Sequence, residues 1–201
     1  MDLSLYESLN GFAADHDWLE DILRFFALDA QYLFVGLLAV LFLARGKWTS
    51  ENARHGVIAA LLSAGLALLL AHLITGVWDR PRPYVAHPAQ AHLFIAPSGD
   101  PSFPSDHATA AFAIAVSLLL RSRRVGYLTL GMAVVLAVAR VAVGVHYPSD
   151  VLAGALIGTG SALLLWIPPI RGHLHELADW TARVYDDLVR QVRRRVRPAP
   201  G

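Results

Sequence analysis

The feature that most constrains this chain is a series of long apolar runs separated by short polar junctions. The runs cover about Ile22–Ala44, His55–Trp78, Ser105–Leu120, Val125–Val145 and Val151–Ile167. A membrane-crossing helix needs roughly 20 apolar residues. The sequence therefore predicts an all-α, polytopic bundle of five to six membrane helices, with an amphipathic helix at each terminus, in one domain over residues 1–201. Composition supports this. Only 16% of residues are charged, whereas soluble domains carry about 25%, and the mean hydropathy is +0.46. Cysteine is absent, which excludes disulfides and thiolate chemistry. The net charge of +1 creates no global field for nucleic acid, so the bilayer itself is the expected partner. The acidic start (Asp2, Glu7, Asp15, Asp17) has no basic region or small-residue cleavage site, and no cleaved signal peptide is expected.

Residues 1–21 read as an interfacial helix, with Leu5, Leu9 and Phe12 at helical spacing and Asn10-Gly11 weakening the run. Residues 172–197 carry the stripe Leu174, Leu177, Thr181, Val184, Leu188 and Val192, with Arg183, Arg190 and Arg193 to Arg195 elsewhere. That pattern predicts a basic amphipathic helix on anionic lipid, with a partner-binding helix as the alternative. Gly154 and Gly158 form a small-residue pair that permits close helix contact; a homo-oligomer is allowed but not required.

Basic residues orient the bundle. Arg45, Lys47 and Arg54 follow the first run; Arg121, Arg123 and Arg124 follow the third; Arg171, Arg183, Arg190, Arg193 to Arg195 and Arg197 follow the fifth. These junctions alternate as a five-span protein requires and are expected in the cytoplasm, with the C-terminus. The N-terminus, the loop after the second run and the turn after the fourth are then expected outside the cell membrane. The only cations there are Arg80 and Arg82, with Arg140 slightly deeper. So few cations on that side point to function rather than topology.

Three segments share that outer end. The first is the rigid exit Asp79-Arg80-Pro81-Arg82-Pro83-Tyr84. The second is Pro104-Ser105-Asp106-His107, where Ser105 suits an N-cap and free amides at a helix start attract phosphate. The third is the stretch from Arg140 to Asp150, whose Tyr147-Pro148 step breaks the helix. Ser149 is expected to cap the next helix, with Asp150 in its first turn. Charged groups at such depth are functional candidates by default; the plainer alternative is a pair of polar caps. His146 reads as a nucleophile, Asp150 as the group that holds its ring and His107 as a proton donor. Arg82 and Arg140 can bind phosphate by paired hydrogen bonds. His107, His146 and Asp150 also suit a divalent ion, but the adjacent arginines oppose one, so no metal or cofactor is expected. His87 and His92 read as solvated loop residues, His72 as a helix-contact residue and Thr159 and Ser161 as helix-contact polar groups. Residues 85–104 are long for a structureless loop, which points to function or a lid.

These segments resemble the three signatures of the type 2 phosphatidic acid phosphatase superfamily of membrane lipid phosphatases. Arg82-Pro83 match the first, Pro104-Ser105-Asp106-His107 the second, and Arg140, His146 and Asp150, with their spacing, the third. The doubled Arg-Pro and Asp106 resemble the branch that dephosphorylates undecaprenyl diphosphate in bacterial envelopes. The resemblance implies a polyprenyl or other lipid phosphate substrate. It also implies a phosphohistidine at His146, an acid at His107 and a cradle of Arg82, Ser105 and Arg140. Three positions depart from the family pattern. Thr75 stands where the family has lysine, and Arg80 is the nearby cation that can take that lysine's place. Asp106 replaces a glycine, and Ala139 replaces a serine.

Overall fold

The computed structural model describes residues 2–43 and 51–196. The expectations for Arg45, Lys47 and Arg197 lie outside the described residues. The described chain is all-helical: α1 (Asp2–Ala14), α2 (Asp17–Arg24), a π-helical turn (Phe25–Asp29), α3 (Ala30–Leu43), α4 (Glu51–Thr75), α5 (Pro83–Ala86), α6 (Asp106–Leu119), α7 (Arg123–Ala142), α8 (Pro148–Leu165) and α9 (Pro168–Val196). Asp17–Leu43, Ala53–Thr75, α7 and α8 are long and apolar enough to cross a bilayer. The remaining apolar run, α6, has 14 helical residues, or about 21 Å at 1.5 Å per residue.

That short helix is the centre of the bundle and packs against α4, α7 and α8. Its inward positions are small: Ala108, Thr109, Ala111, Ala113, Ala115 and Ser117 are buried. The Gly154/Gly158 pair faces it. A Cβ at Gly154 would lie 2.7 Å from the Ser105 carbonyl oxygen, and one at Gly158 would collide with that of Thr109. The pair is thus used inside the chain, where two helix backbones meet, and gives no support to self-association.

The helices alternate in direction. The end of α4, the starts of α6 and α8 and the end of α7 therefore meet at one pole. Arg54, His55, Arg121 and α9 lie at the other. There Arg54 pairs with Asp186 at 3.2 Å, His55 with Asp179 at 2.7 Å, and Arg121 contacts His175 at 3.1 Å. Helix α9 starts at Pro168, earlier than expected. It turns His175, Ala178, Asp179 and Asp186 toward the bundle and leaves Leu177, Val184, Leu188 and Val192 exposed.

Helix α1 docks on the bundle by one face. Leu5 and Phe12 are more than half exposed, while Tyr6, Asn10 and Ala13 are buried. The docked face is set by polar partners: the Asn10 amide donates to the carbonyls of His92 at 2.7 Å and Ala142 at 2.8 Å, and its oxygen accepts the His92 amide. Leu5 and Phe12 lie on the opposite face, the one an interfacial helix would turn to lipid.

Candidate active site

The turn after α7 is held open by Gly144, whose φ of +91° is readily accessible only to glycine. A Cβ there would also lie 2.5 Å from the His92 carbonyl oxygen. This reversal sends His146 back into the bundle end, where it is 2% exposed. The next helix is capped two residues before the expected position. Tyr147 is the N-cap, Pro148 follows at the first helical position, and Asp150 accepts the Tyr147 amide at 2.8 Å. Ser105 does occupy the N-cap position of α6, but its hydroxyl caps nothing.

Arg82, Asp106, His107, Arg140 and His146 line one cavity of about 410 Å³, together with His72 and Thr75 from α4 and Ser98 and Asp100 from the loop between α5 and α6. Arg82 and Arg140 are only 7% and 5% exposed. Carbonyl oxygens hold both guanidinium groups. Arg82 donates to Asp100 at 2.8 Å and Val145 at 3.3 Å, and Arg140 donates to Ala27 at 3.1 Å. These acceptors carry no net charge; the Asp106 carboxylate lines the same cavity and acts on both guanidinium groups through space, without a hydrogen bond. Arg140 Nε and Ser105 Oγ are buried without a protein partner. Buried polar atoms of that kind call for an explanation, and phosphate oxygens would satisfy both.

The His146 ring has a defined orientation. Nδ1 lies 2.9 Å from the Ser102 carbonyl oxygen, which can only accept, so Nδ1 carries the proton. Nε2 is left with its lone pair, and Arg140 Nη2 donates to it at 3.2 Å. Asp150 is fully buried, but its carboxylate is 3.7 Å from Nδ1, beyond hydrogen-bond range. It acts on the ring through charge and through Ser102, whose hydroxyl donates to Asp150 at 2.5 Å. Burial pushes the His146 imidazole down to about 4; Asp150 opposes this, while the Arg140 and Arg82 charges add to it. The ring is therefore neutral near pH 7, as a nucleophile requires.

Arg80, expected among the phosphate ligands, points elsewhere. It bonds Asp150 at 2.6 Å and Asp2 at 2.7 Å and does not line the cavity. Thr75 does line it, but its hydroxyl is engaged by the carbonyls of Ala71 and Phe103, at 3.0 and 3.1 Å. His72, read as a helix-contact residue, reaches the cavity one turn before Thr75. Ser102 was missed altogether; its only sequence signal is its place three residues before Ser105. His87 packs against the Tyr147 ring, and neither it nor His92 lines the cavity. Among the described residues, no three His, Asp or Glu side chains are placed to hold a metal ion.

Two buried arginines, a neutral histidine and a second histidine thus meet at one end of a bundle of apolar, membrane-length helices. The PAP2 superfamily profile matches residues 56–169, and the chain belongs to that superfamily. It is 29% identical to the undecaprenyl-diphosphatase BcrC of Bacillus subtilis, over 96% of this chain and 95% of that one. It is 40% identical over 116 residues to the lipid A 1-phosphatase of Rhizobium johnstonii, spanning 55% of this chain and 47% of the relative. Among solved structures, Aquifex aeolicus LpxE superposes with a TM-score of 0.69 at 27% identity, covering 81% of this chain and 93% of that one.

Proposed function

We propose that the chain is an integral membrane phosphatase that hydrolyses a lipid diphosphate, polyprenyl diphosphate of the undecaprenyl type, to the monophosphate at the outer leaflet of the cell membrane. The observation that carries this reading is the His146 ring: Nδ1 is tied to a carbonyl and Nε2 points at Arg140 in an arginine-lined cavity.

The terminal phosphate sits between Arg82 and Arg140, with Ser105 supplying a further donor. His146 Nε2 attacks the terminal phosphorus. A P–N bond forms, and the bond from that phosphorus to the bridging oxygen breaks. His107 donates its proton to that oxygen, and the prenyl monophosphate leaves. Water then attacks the phosphohistidine, gives a proton to His107, and releases inorganic phosphate and free His146. The buried guanidinium groups stabilise the charge on the transferring group throughout, and no step draws on a metal or cofactor.

Two facts favour a diphosphate. The B. subtilis relative that spans nearly this whole chain is named an undecaprenyl-diphosphatase. In addition, a phosphate monoester leaves more readily than an alkoxide, which suits a site with Thr75 where the family has lysine. The arginines at the far pole support a cytoplasmic position for that end and for the C-terminus.

The test is phosphate release by purified protein in EDTA from polyprenyl diphosphate, phosphatidic acid and phosphatidylglycerophosphate. Turnover of the prenyl diphosphate is expected, with a loss of at least about 1,000-fold in His146→Ala. A clear preference for phosphatidic acid would overturn the substrate assignment, and full turnover by His146→Ala would overturn the nucleophile. Because the chain has no cysteine, a single Ser98→Cys site can report sidedness. Labelling by an impermeant maleimide in intact cells is expected; labelling only after lysis would reverse the orientation.

A further inference from the structure

Asp150 is fully buried and charged, and such a group must be compensated by donors. Its Oδ2 accepts from Ser102 and from the Tyr147 amide. Its Oδ1 accepts from Arg80 Nη1 at 2.6 Å, and the same nitrogen reaches Ser149 Oγ at 2.6 Å. The other end of that guanidinium is also fixed: Nη2 donates to Asp2 Oδ2 at 2.7 Å. Asp2 in turn accepts the Ser149 amide at 3.0 Å and its hydroxyl at 2.6 Å. The Arg80 guanidinium carbon lies 4.0 Å from the centre of the Tyr147 ring, and Tyr6 of α1 packs against the same residue with ring centres 5.7 Å apart.

Asp2, Tyr6 and Asn10 are spaced by four and share one face of α1. Each contacts the 142–149 turn or a residue bonded to it. Burial works against the Asp2 carboxylate, but hydrogen bonds from Ser149 and Arg80 overcome that and hold it below the usual carboxylate range. The N-terminal helix is thus anchored to the segment that carries His146 and Asp150.

We propose that Asp2 and Arg80 are positioning residues: Asp2 on α1 fixes the Arg80 guanidinium, which fixes Asp150, which with Ser102 sets the angle of His146. Arg80 then serves the histidine and not the phosphate. This rests on the phosphatase reading above.

The test is kcat and KM of purified wild type, Asp2→Asn, Arg80→Lys, Arg80→Ala and the Asp2→Asn/Arg80→Ala double variant, with Glu7→Gln as a control on the exposed face of α1. Small displacements of reacting groups can lower rates by about a hundredfold. Arg80→Ala is expected to lower kcat by roughly that factor with KM within about twofold, and Arg80→Lys to recover part of it. Asp2→Asn is expected to lower kcat by about three- to tenfold, and the double variant to be no slower than Arg80→Ala alone, because the two act as one unit. Glu7→Gln is expected to match wild type. Raised KM at unchanged kcat would make Arg80 a phosphate ligand and overturn the proposal; so would an unchanged kcat in Asp2→Asn, or multiplying effects in the double variant. Arg80→Ala leaves a buried carboxylate unpaired and risks unfolding. Asp2→Asn leaves the bonds of Asp150 intact, so its kcat at an unchanged melting temperature decides the matter alone. The phosphatase reading fails separately, if wild type releases no phosphate or His146→Ala is fully active.

Discussion

The two poles of the bundle both carry arginines, and they treat them differently. At the far pole Arg54 meets Asp186, His55 meets Asp179, and Arg121 and Arg171 lie over the Trp166 ring, 5.1 and 4.8 Å from its centre. At the site pole Arg82 and Arg140 are more deeply buried, and their anchors are carbonyl oxygens and a neutral imidazole. Carboxylates cancel charge where they hold it in place; carbonyls hold it without cancelling it. One pole docks a helix, and the other leaves two buried guanidinium groups with no carboxylate hydrogen-bonded to them among the described residues. Arg80 makes the same point within the site pole. It lies two residues from Arg82, but it is paired with acids and serves structure.

The comparison breaks most visibly at Arg140. Arg140→Ala is expected to lower kcat/KM by about 100- to 1,000-fold, the loss seen when one preorganised donor to a developing oxyanion is removed. Steady-state kinetics on the prenyl diphosphate checks this, and a change below tenfold would mean that the phosphate sits elsewhere. The pH dependence sharpens it next. The His146 imidazole is depressed, so its neutral, attacking form persists as pH falls below the ordinary histidine value of about 6.5 and is lost only as pH passes through about 4. Corrected for substrate ionisation, the acid limb of kcat/KM is expected nearer 4 than 6.5. A limb at 6.5 would show that the ring is open to water. The depressed value also makes protonation destabilising, so thermal stability should decline as pH is lowered from about 6.5 toward 4. The smallest effect belongs to the far pole. Arg54→Ala is expected to shift stability by no more than about 1 kcal/mol, as partly exposed ion pairs do, with kcat unchanged in the same assay. A large loss of turnover there would couple the two poles.

Much of this was readable before any coordinates. Apolar runs and basic junctions located the membrane helices, because hydrocarbon tolerates so few alternatives. His146, His107, Arg82 and Arg140 were legible because each is expensive to place at a membrane helix end. Arg80 was legible as a cation but not in its direction, since nothing local to Arg80-Pro81-Arg82 says which guanidinium turns inward. The docking face of α1 was not legible for a related reason: Asn10 and Asp2 found partners more than 130 residues away.

The amino-acid order alone determined that the chain is a helical membrane bundle, since that follows from hydropathy, and short spacings along one helix or turn marked the candidate site residues. Only the tertiary structure decided that Ser102 rather than Asp150 contacts the His146 ring, that Arg80 bonds Asp150, and that His72 reaches the cavity. Those outcomes depend on where separate helices meet, and no local pattern in the sequence encodes them.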